Sequence, residues 1–287
     1  MIRLLLPLAL ASAAASGVPA LCRRLRPATA ARLLALTIGA LLVATGATAV
    51  AISLAYVSHH PWLGDSLQWC HDALGVHHPP PTLVGLASLA ATALLSHRMI
   101  TVARMWRRDA GTDGDHIHVV DSDRPLAYAQ PGQRGGIVIT TTMFDVLSPA
   151  ERRAVLAHEQ AHLRHRHDRY LALAATIDSP PTRPLTRCLR AALERWADED
   201  AATSTGDRTT VATAIARAAL AATPEPAPTL AATGGDVPGR VSALLHPPTI
   251  AARYDITAAA AAAIIVSVTA TQLHHLIAVI DTSAWCP

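Results

Sequence analysis

The sequence predicts an α-helical membrane protein with about four transmembrane helices and an α+β domain between the third helix and the fourth. Of its 287 residues 51% are apolar and only 3% aromatic, and Ala and Leu gather in blocks long enough to cross a bilayer. Between the last two blocks the chain is more polar. There it combines strand-like stretches, Ile117 to Val120 and Gly136 to Thr140, with two helical patterns.

Four apolar blocks predict the transmembrane helices, because each is near the roughly 20 residues that a membrane helix needs. The blocks are residues 4–21, 33–57, 82–103 and 256–280, of which the second and the fourth carry the strongest signal. An Ala-rich helix buried in protein is the alternative for each block, since Ala is only weakly hydrophobic.

The first block has a second interpretation as a cleaved signal peptide. Arg3, an apolar run and the small residues that follow fit such a signal. The positive charges of Arg23, Arg24 and Arg26 favour an uncleaved helix instead, with that end in the cytoplasm.

The arginines indicate one topology. They follow the first and third blocks and precede the fourth, whereas Ser58 to Pro81 and Asp281 to Pro287 have none, and the chain has no Lys. The positive-inside rule therefore places those two segments outside. The predicted division is three transmembrane helices in 1–103, a cytoplasmic domain in 104–253, and a fourth transmembrane helix with a short exterior tail in 254–287, in the cell membrane.

The exterior segments carry two further hypotheses. Cys70 and Cys286 could form a disulfide there, and two unpaired thiols are the equal alternative. The loop before the third block is also rich in His and Trp. This composition suits a metal or pH detector, but Trp residues that anchor the interface explain it more simply.

The most informative motif is His158-Glu159-Gln160-Ala161-His162, an HExxH sequence. Ser148 as N-cap, Pro149 at the first helical position and Glu151 in a capping box predict the start of its helix. No later Pro or Gly interrupts the run, so one helix is expected to continue to Asp178. Two imidazoles one turn apart can reach one ion, which indicates a zinc hydrolase. A catalytic zinc site needs one more protein ligand.

Glu194 is the preferred third ligand of the five Glu, although other ligands stay open. It lies on a second predicted helix from about Leu185 to Thr203. Asp198 follows one turn later on the same face, where its carboxylate could accept the N–H of a ligand His. Glu199 points about 100° away from Asp198 and is expected to face solvent.

These two motifs resemble the HExxH and ExxxD pair of membrane-bound gluzincin peptidases. Two branches fit, the HtpX-type and CAAX prenyl proteases and the BlaR/MecR-type sensors. The resemblance covers about Ile117 to Leu245, including Arg240 and the residues after it. It implies a zincin-like (gluzincin) domain with one Zn2+ per chain.

The resemblance also assigns roles to residues. It implies zinc binding by His158, His162 and Glu194, catalysis by Glu159, and a supporting role for Asp198. It further implies that Ile137 to Thr140 is an edge strand that holds an extended peptide. The group that stabilises the oxyanion is not assigned. Its candidates are His165, His167, Tyr170, Arg208 and Arg240, with a surface position or a local network as the simpler expectation for His165 and His167.

The expected function is that of an integral-membrane zinc-dependent metalloendopeptidase in membrane protein quality control or regulatory proteolysis. It would hydrolyse peptide bonds with a zinc-activated water and Glu159 as general base. Its partners would be the lipid bilayer and a protein or peptide substrate, such as a cytoplasmic repressor or a membrane protein. The alternative is a non-catalytic, sensor-type regulator that acts through binding. The sequence has no phosphate-binding glycine loop and no basic patch interleaved with aromatics, which argues against nucleic acid as a partner.

Overall fold

The computed structural model describes residues 2–22, 24–60, 78–108, 116–132, 135–222, 236–247 and 252–283. The chain is mostly helical over these ranges. The helices are α1 (Ile2–Cys22), α2 (Pro27–Ser58), α3 (Thr82–Arg108), α4 (Thr141–Val146), α5 (Pro149–Arg164), α6 (His167–Ile177), α7 (Arg183–Thr205), α8 (Arg208–Ala222), α9 (Val237–Leu245) and α10 (Ala252–Ser283). The strands are β1 (His116–Val120), β2 (Ala127–Gln130) and β3 (Gly136–Thr140).

Helices α1, α2, α3 and α10 lie where the four apolar blocks predict them. Among the described residues, length and composition give two candidate membrane spans, Pro27–Ser58 and Thr82–Arg107. The apolar part of α10 is shorter, Ile256–Thr271. Only 6% of the apolar window of α3 is buried, and such an exposed apolar surface is what lipid would cover. The count of four spans stays a prediction.

The sheet has the strand order β1-β3-β2, with β1 parallel and β2 antiparallel to β3. Both predicted strands are present, because β1 and β3 contain the β-branched runs. The expectation that Ile137 to Thr140 forms an edge strand is wrong. All five residues of β3 are buried, and β2, whose Ala-Tyr-Ala-Gln sequence is a weak strand signal, takes the outer position beside it.

The motif helix α5 begins as predicted, with Ser148 and Glu151 in a reciprocal capping box. Glu151 also binds Arg217 of α8, at 2.9 Å. The prediction of one helix up to Asp178 is wrong. The chain turns at His165 and Arg166, where Arg166 adopts a left-handed φ of 52°, and continues as α6. Such a conformation is rare for a residue with a side chain, so sequence patterns seldom reveal it.

Helix α7 spans the region predicted for the second motif and lies between two hydrophobic cores. Leu185, Leu189, Leu193 and Trp196 join a core with α1, α2, α6 and α10. Ala201 and Ala202 join the second core, formed by β3, α4, α5, α8 and α9. The helix that carries Glu194 therefore packs against predicted membrane helices on one side and the motif helix on the other.

Several sequence-based expectations concern residues outside the described ranges. They include the Cys70 to Cys286 disulfide and most of the histidine-rich loop, as well as Glu225. The irregular segment expected from Pro224 to Pro238 ends earlier than predicted. Asp236 accepts a hydrogen bond from the backbone N–H of Gly239, and α9 begins at Val237.

We expect Ser148→Ala to destabilise the protein by about 1 kcal/mol, because the backbone N–H of Glu151 loses its acceptor when the Ser148 hydroxyl is removed. Thermal unfolding of the detergent-solubilised protein would measure this loss. Ser148→Thr keeps the acceptor and is the matched control. Equal loss of stability in both variants would show that the capping box contributes nothing specific.

Candidate metal centre

The three residues predicted as metal ligands meet at the interface of α5 and α7. Their donor atoms all lie within 4.8 Å of one another. Nε2 of His158 lies 3.1 Å from Nε2 of His162, because one helical turn stacks the two rings on the same face. The carboxylate of Glu194 reaches across from α7, with its oxygens 3.5 Å and 3.7 Å from these two nitrogens.

These separations fit a tetrahedral zinc site. Two imidazole nitrogens that each bind zinc at about 2.0–2.1 Å are roughly 3.3 Å apart in tetrahedral geometry, and a carboxylate oxygen adds a spacing of roughly 3.4 Å. The observed spacings are close to both values. A set of two imidazoles and one carboxylate is also the donor set of hydrolytic zinc sites that leave a fourth position open.

Asp198 lies behind His158, as the sequence predicts for the residue one turn after Glu194. Its Oδ1 is 3.0 Å from Nδ1 of His158, the ring nitrogen that faces away from Glu194. Asp198 is 2% exposed, so its charge needs a partner inside the protein. That partner is Arg240 of α9.

Arg240 binds the carboxylates of Asp198 and Glu194 together. Its Nε and one terminal nitrogen donate to the two oxygens of Asp198 at 2.8 Å and 2.6 Å. The other terminal nitrogen lies 3.0 Å from Oε2 of Glu194. One planar guanidinium therefore fixes two carboxylates that are four residues apart. Its bonds to Asp198 and Glu194 favour a role in holding the site rather than in oxyanion binding.

Glu159 lies beside β2. The backbone N–H of Ala129 donates to its carboxylate, and burial raises the pKa of Glu159 above its ordinary value despite that bond and the charge on His158. Ala129 and its strand were not predicted from the sequence. The helical spacing places Glu159 beside the two imidazoles, but nothing local indicates that a strand of the sheet contacts it.

The pKa values of the two imidazoles are shifted in opposite directions. Burial alone would lower the pKa of His158, but its contacts with Asp198 and Glu194 outweigh burial and raise the pKa to about 9. Burial, together with the neighbouring His158, lowers the pKa of His162 to about 4. Burial opposes ionisation of Glu194, but its hydrogen bond with His158 and the charge of that imidazole lower the pKa of Glu194 to about 2. The site thus holds an ionised carboxylate and one uncharged imidazole.

The other oxyanion candidates lie around this centre at different depths. Arg208 binds Glu199 in a bidentate pair, which explains why Glu199 turns away from the site. His165 binds Asp200 at 2.6 Å and stacks on Trp196. His167 is only 1% exposed, so a surface position is wrong for it, and it contacts His162.

A cleft of about 930 Å3 leads to the centre. Its polar residues are those of the site, whereas its walls are apolar. The walls come from the residues before and within β2 and from α4, α5, α8 and α9, and they include Leu126, Met143, Val155, Val211, Ile215 and Val241. A second, smaller hollow on the other side of Glu159 is lined by Tyr128, Pro131 and His162, among others. An extended ligand would therefore find space on both sides of Glu159.

Part of the chain is similar to a known protein family. Residues 96–224 match the model of peptidase family M48. This segment of the chain is therefore similar to peptidase family M48. The resemblance to membrane-bound gluzincin peptidases is thereby confirmed, and it supports a metalloprotease role.

Among individual proteins, the chain is similar to several named "Protease HtpX homolog". The similarity is 36% identity over 70 residues with that of Acidiphilium cryptum, which is 24% of each chain. It is 35% over 63 residues with that of Thermodesulfovibrio yellowstonii, 21% of this chain and 22% of the relative. It is 32% over 89 residues with that of Burkholderia mallei, 30% of each. The chain thus spans less than a third of the length of these relatives. No solved structure matches the chain.

We expect Arg240→Lys to weaken zinc binding by roughly 10- to 100-fold, because a single ammonium cannot hold Asp198 and Glu194 together as the guanidinium does. Competition with a chelator of known affinity would measure the dissociation constant. Arg208→Lys disrupts the similar bidentate pair with Glu199 on the same helix and should leave zinc affinity unchanged. Equal losses in the two variants would contradict a specific role for Arg240.

Proposed function

We propose that this protein is an integral-membrane zinc metalloendopeptidase with His158, His162 and Glu194 as ligands and Glu159 as general base. The observation that carries the proposal is the convergence of the two imidazoles and the carboxylate at spacings that suit one zinc ion. The M48 match over residues 96–224 supports the same chemistry.

A bound zinc ion would supply Lewis acidity and lower the pKa of a water in its open position. The residues of the chain would transfer the proton and position the ligands. Glu159, on the same helix as His158 and His162, would accept the proton from that water and later return it to the leaving amine. Asp198 would hold the ring of His158, and Arg240 would hold Asp198 and Glu194.

The substrate would be a protein or peptide bound in extended form along β2 rather than β3. The backbone N–H of Ala129 points away from β3 and donates to Glu159, so the outer edge of β2 lies beside the proposed catalytic carboxylate. Addition of a strand at such an edge would carry a peptide bond past Glu159. The apolar cleft beside the site favours apolar side chains next to the cleaved bond.

The biological role would be quality control of membrane proteins or regulatory proteolysis of a membrane or cytoplasmic target. A non-catalytic regulator of the BlaR/MecR type is the second candidate. Such a regulator would use His158, His162 and Glu194 only to bind the metal, and it would not need a carboxylate at position 159. Glu159 is partly buried, accepts a hydrogen bond from the Ala129 backbone of β2 and interacts with His158, and these contacts favour the enzyme.

Glu159→Ala should strongly reduce proteolysis while leaving zinc bound, because it removes the base and keeps all three ligands. General base catalysis is worth about 10²- to 10⁴-fold in rate, so a loss in that range is expected. Zinc content and cleavage of casein by the protein in detergent would be measured together.

Glu199→Ala is the matched control, since it removes a carboxylate of α7 that binds Arg208 instead of facing the metal ligands. It should retain both zinc and cleavage. Zinc bound to the wild type without cleavage of any of several substrates would favour the regulator. Undiminished cleavage by the Glu159→Ala protein would remove Glu159 from the mechanism.

We also infer a cytoplasmic catalytic segment in a protein that crosses the cell membrane four times. The arginines beside the apolar blocks support this topology through the positive-inside rule. The segment that holds the metal centre lies between the third and fourth blocks, on the arginine-rich side.

In intact cells, a membrane-impermeant thiol reagent should therefore label Cys70 and Cys286 after reduction and leave Cys188 unlabelled until the cells are opened. Variants that keep one cysteine at a time would separate the signals. Labelling of Cys188 in intact cells would indicate the opposite topology, with the catalytic segment outside. If Cys70 and Cys286 of the wild-type protein react fully without prior reduction, the two thiols are unpaired and the disulfide hypothesis is wrong.

A further inference from the structure

His167 lies directly behind His162, on the side away from the other metal ligands. Its Nδ1 is 2.8 Å from Nδ1 of His162, and its side chain is 1% exposed. The turn at Arg166 makes this contact, because it brings the first residue of α6 back toward the last turns of α5. The motif histidine His158 has Asp198 behind it, with Oδ1 at 3.0 Å from its Nδ1, so a polar group lies close to Nδ1 of each imidazole.

Two facing ring nitrogens can form a hydrogen bond only if one carries a proton and the other does not. If His162 binds zinc through Nε2, that nitrogen has no proton, so a neutral His162 carries its proton on Nδ1. Nδ1 of His167 must then accept. His167 in turn carries its own proton on Nε2.

The second ring nitrogen of His167, Nε2, does not compete with His162 for the orientation of the ring. Nε2 is buried and has no hydrogen-bond partner among the described residues. The ring is instead surrounded by aromatic groups. His165, Tyr170 and Trp196 have their centroids 5.8 Å, 6.2 Å and 5.0 Å from it. His162 is thus the only hydrogen-bond partner that the described residues provide for this side chain.

We infer that His167 is a positioning residue for the metal site, which accepts the Nδ1 proton of His162 and thereby holds Nε2 of His162 unprotonated and aimed at the ion. This inference rests on the proposed metal-binding role of His162. Partners behind metal-bound histidines act in this way because they fix both the tautomer and the orientation of the ring. Here a second imidazole takes the place that a carboxylate takes behind His158.

A purely structural role would depend on the aromatic packing of His167 instead of on its acceptor. Two substitutions separate these roles. His167→Phe keeps a ring among Trp196, Tyr170 and His165 but has no acceptor. His167→Asn loses the ring and places an amide oxygen near the position of Nδ1, where it can accept from His162.

The measurements are the zinc dissociation constant of the full-length protein in detergent, by chelator competition, and the unfolding temperature of the metal-free protein. We expect His167→Phe to weaken zinc binding by roughly 10- to 100-fold with little change in unfolding temperature. His167→Asn should stay within a few fold of wild type in affinity but unfold at a lower temperature. His165→Phe, which alters the neighbouring ring on Trp196, should keep wild-type affinity.

The opposite pattern, with affinity retained in His167→Phe and lost in His167→Asn, would overturn the inference and assign His167 to packing. Equal affinity in all variants would overturn it as well. Failure of the wild-type protein to bind zinc would be a different result, because it would refute the proposed metal site itself. The visible spectrum of the Co2+-substituted protein gives a second readout, since a misaligned His162 changes the coordination geometry.

Discussion

The close packing of α5 against α7 is the constraint on which the rest of the site depends. His158 and His162 come from one helix and Glu194 from the other, so a shift between the helices would separate the donor atoms. Ala161, between the two histidines, and Ala197, between Glu194 and Asp198, are both fully buried. Small residues at these positions leave no side chain that would hold the backbones apart. The small residues of the two motifs thus support the same geometry as the predicted ligands.

Charge is the second constraint. Three carboxylates, Glu159, Glu194 and Asp198, surround the site, and Arg240 supplies one fixed positive charge. Carboxylates away from water need compensation, so the contacts with Asp198 and Glu194 raise the pKa of His158, while burial raises the pKa of Glu159. A divalent cation held by His158, His162 and Glu194 would add positive charge to this cluster. The protein therefore presents a strongly electronegative centre inside an otherwise apolar cleft.

Much of the site could be predicted because its signals are local. The helical periodicity places His158 and His162 together, and the capping residues Ser148 and Glu151 mark the start of their helix. By contrast, the errors concern contacts between distant segments. A left-handed Arg166 is stable only in its tertiary setting, and a strand such as β2 gains its order from pairing with β3. The acceptor role that we infer for His167 follows from that same turn, so no spacing rule could reveal it.

The packing of α7 also links the metal centre to the predicted membrane helices. Leu189 and Leu193 are essentially unexposed because α1 and α2 cover them, and the Arg32 guanidinium of α2 lies 5.2 Å from the centroid of the Trp196 ring. A fragment restricted to residues 104–253 would expose that apolar face of the helix that carries Glu194. Burial of a Leu side chain is worth about 1.5–3 kcal/mol, so the loss of several such contacts is comparable to the whole stability of a domain. Helices α1 and α2 are therefore part of the core that positions Glu194, so the candidate metal centre depends on packing against the predicted membrane helices as well as on its own domain.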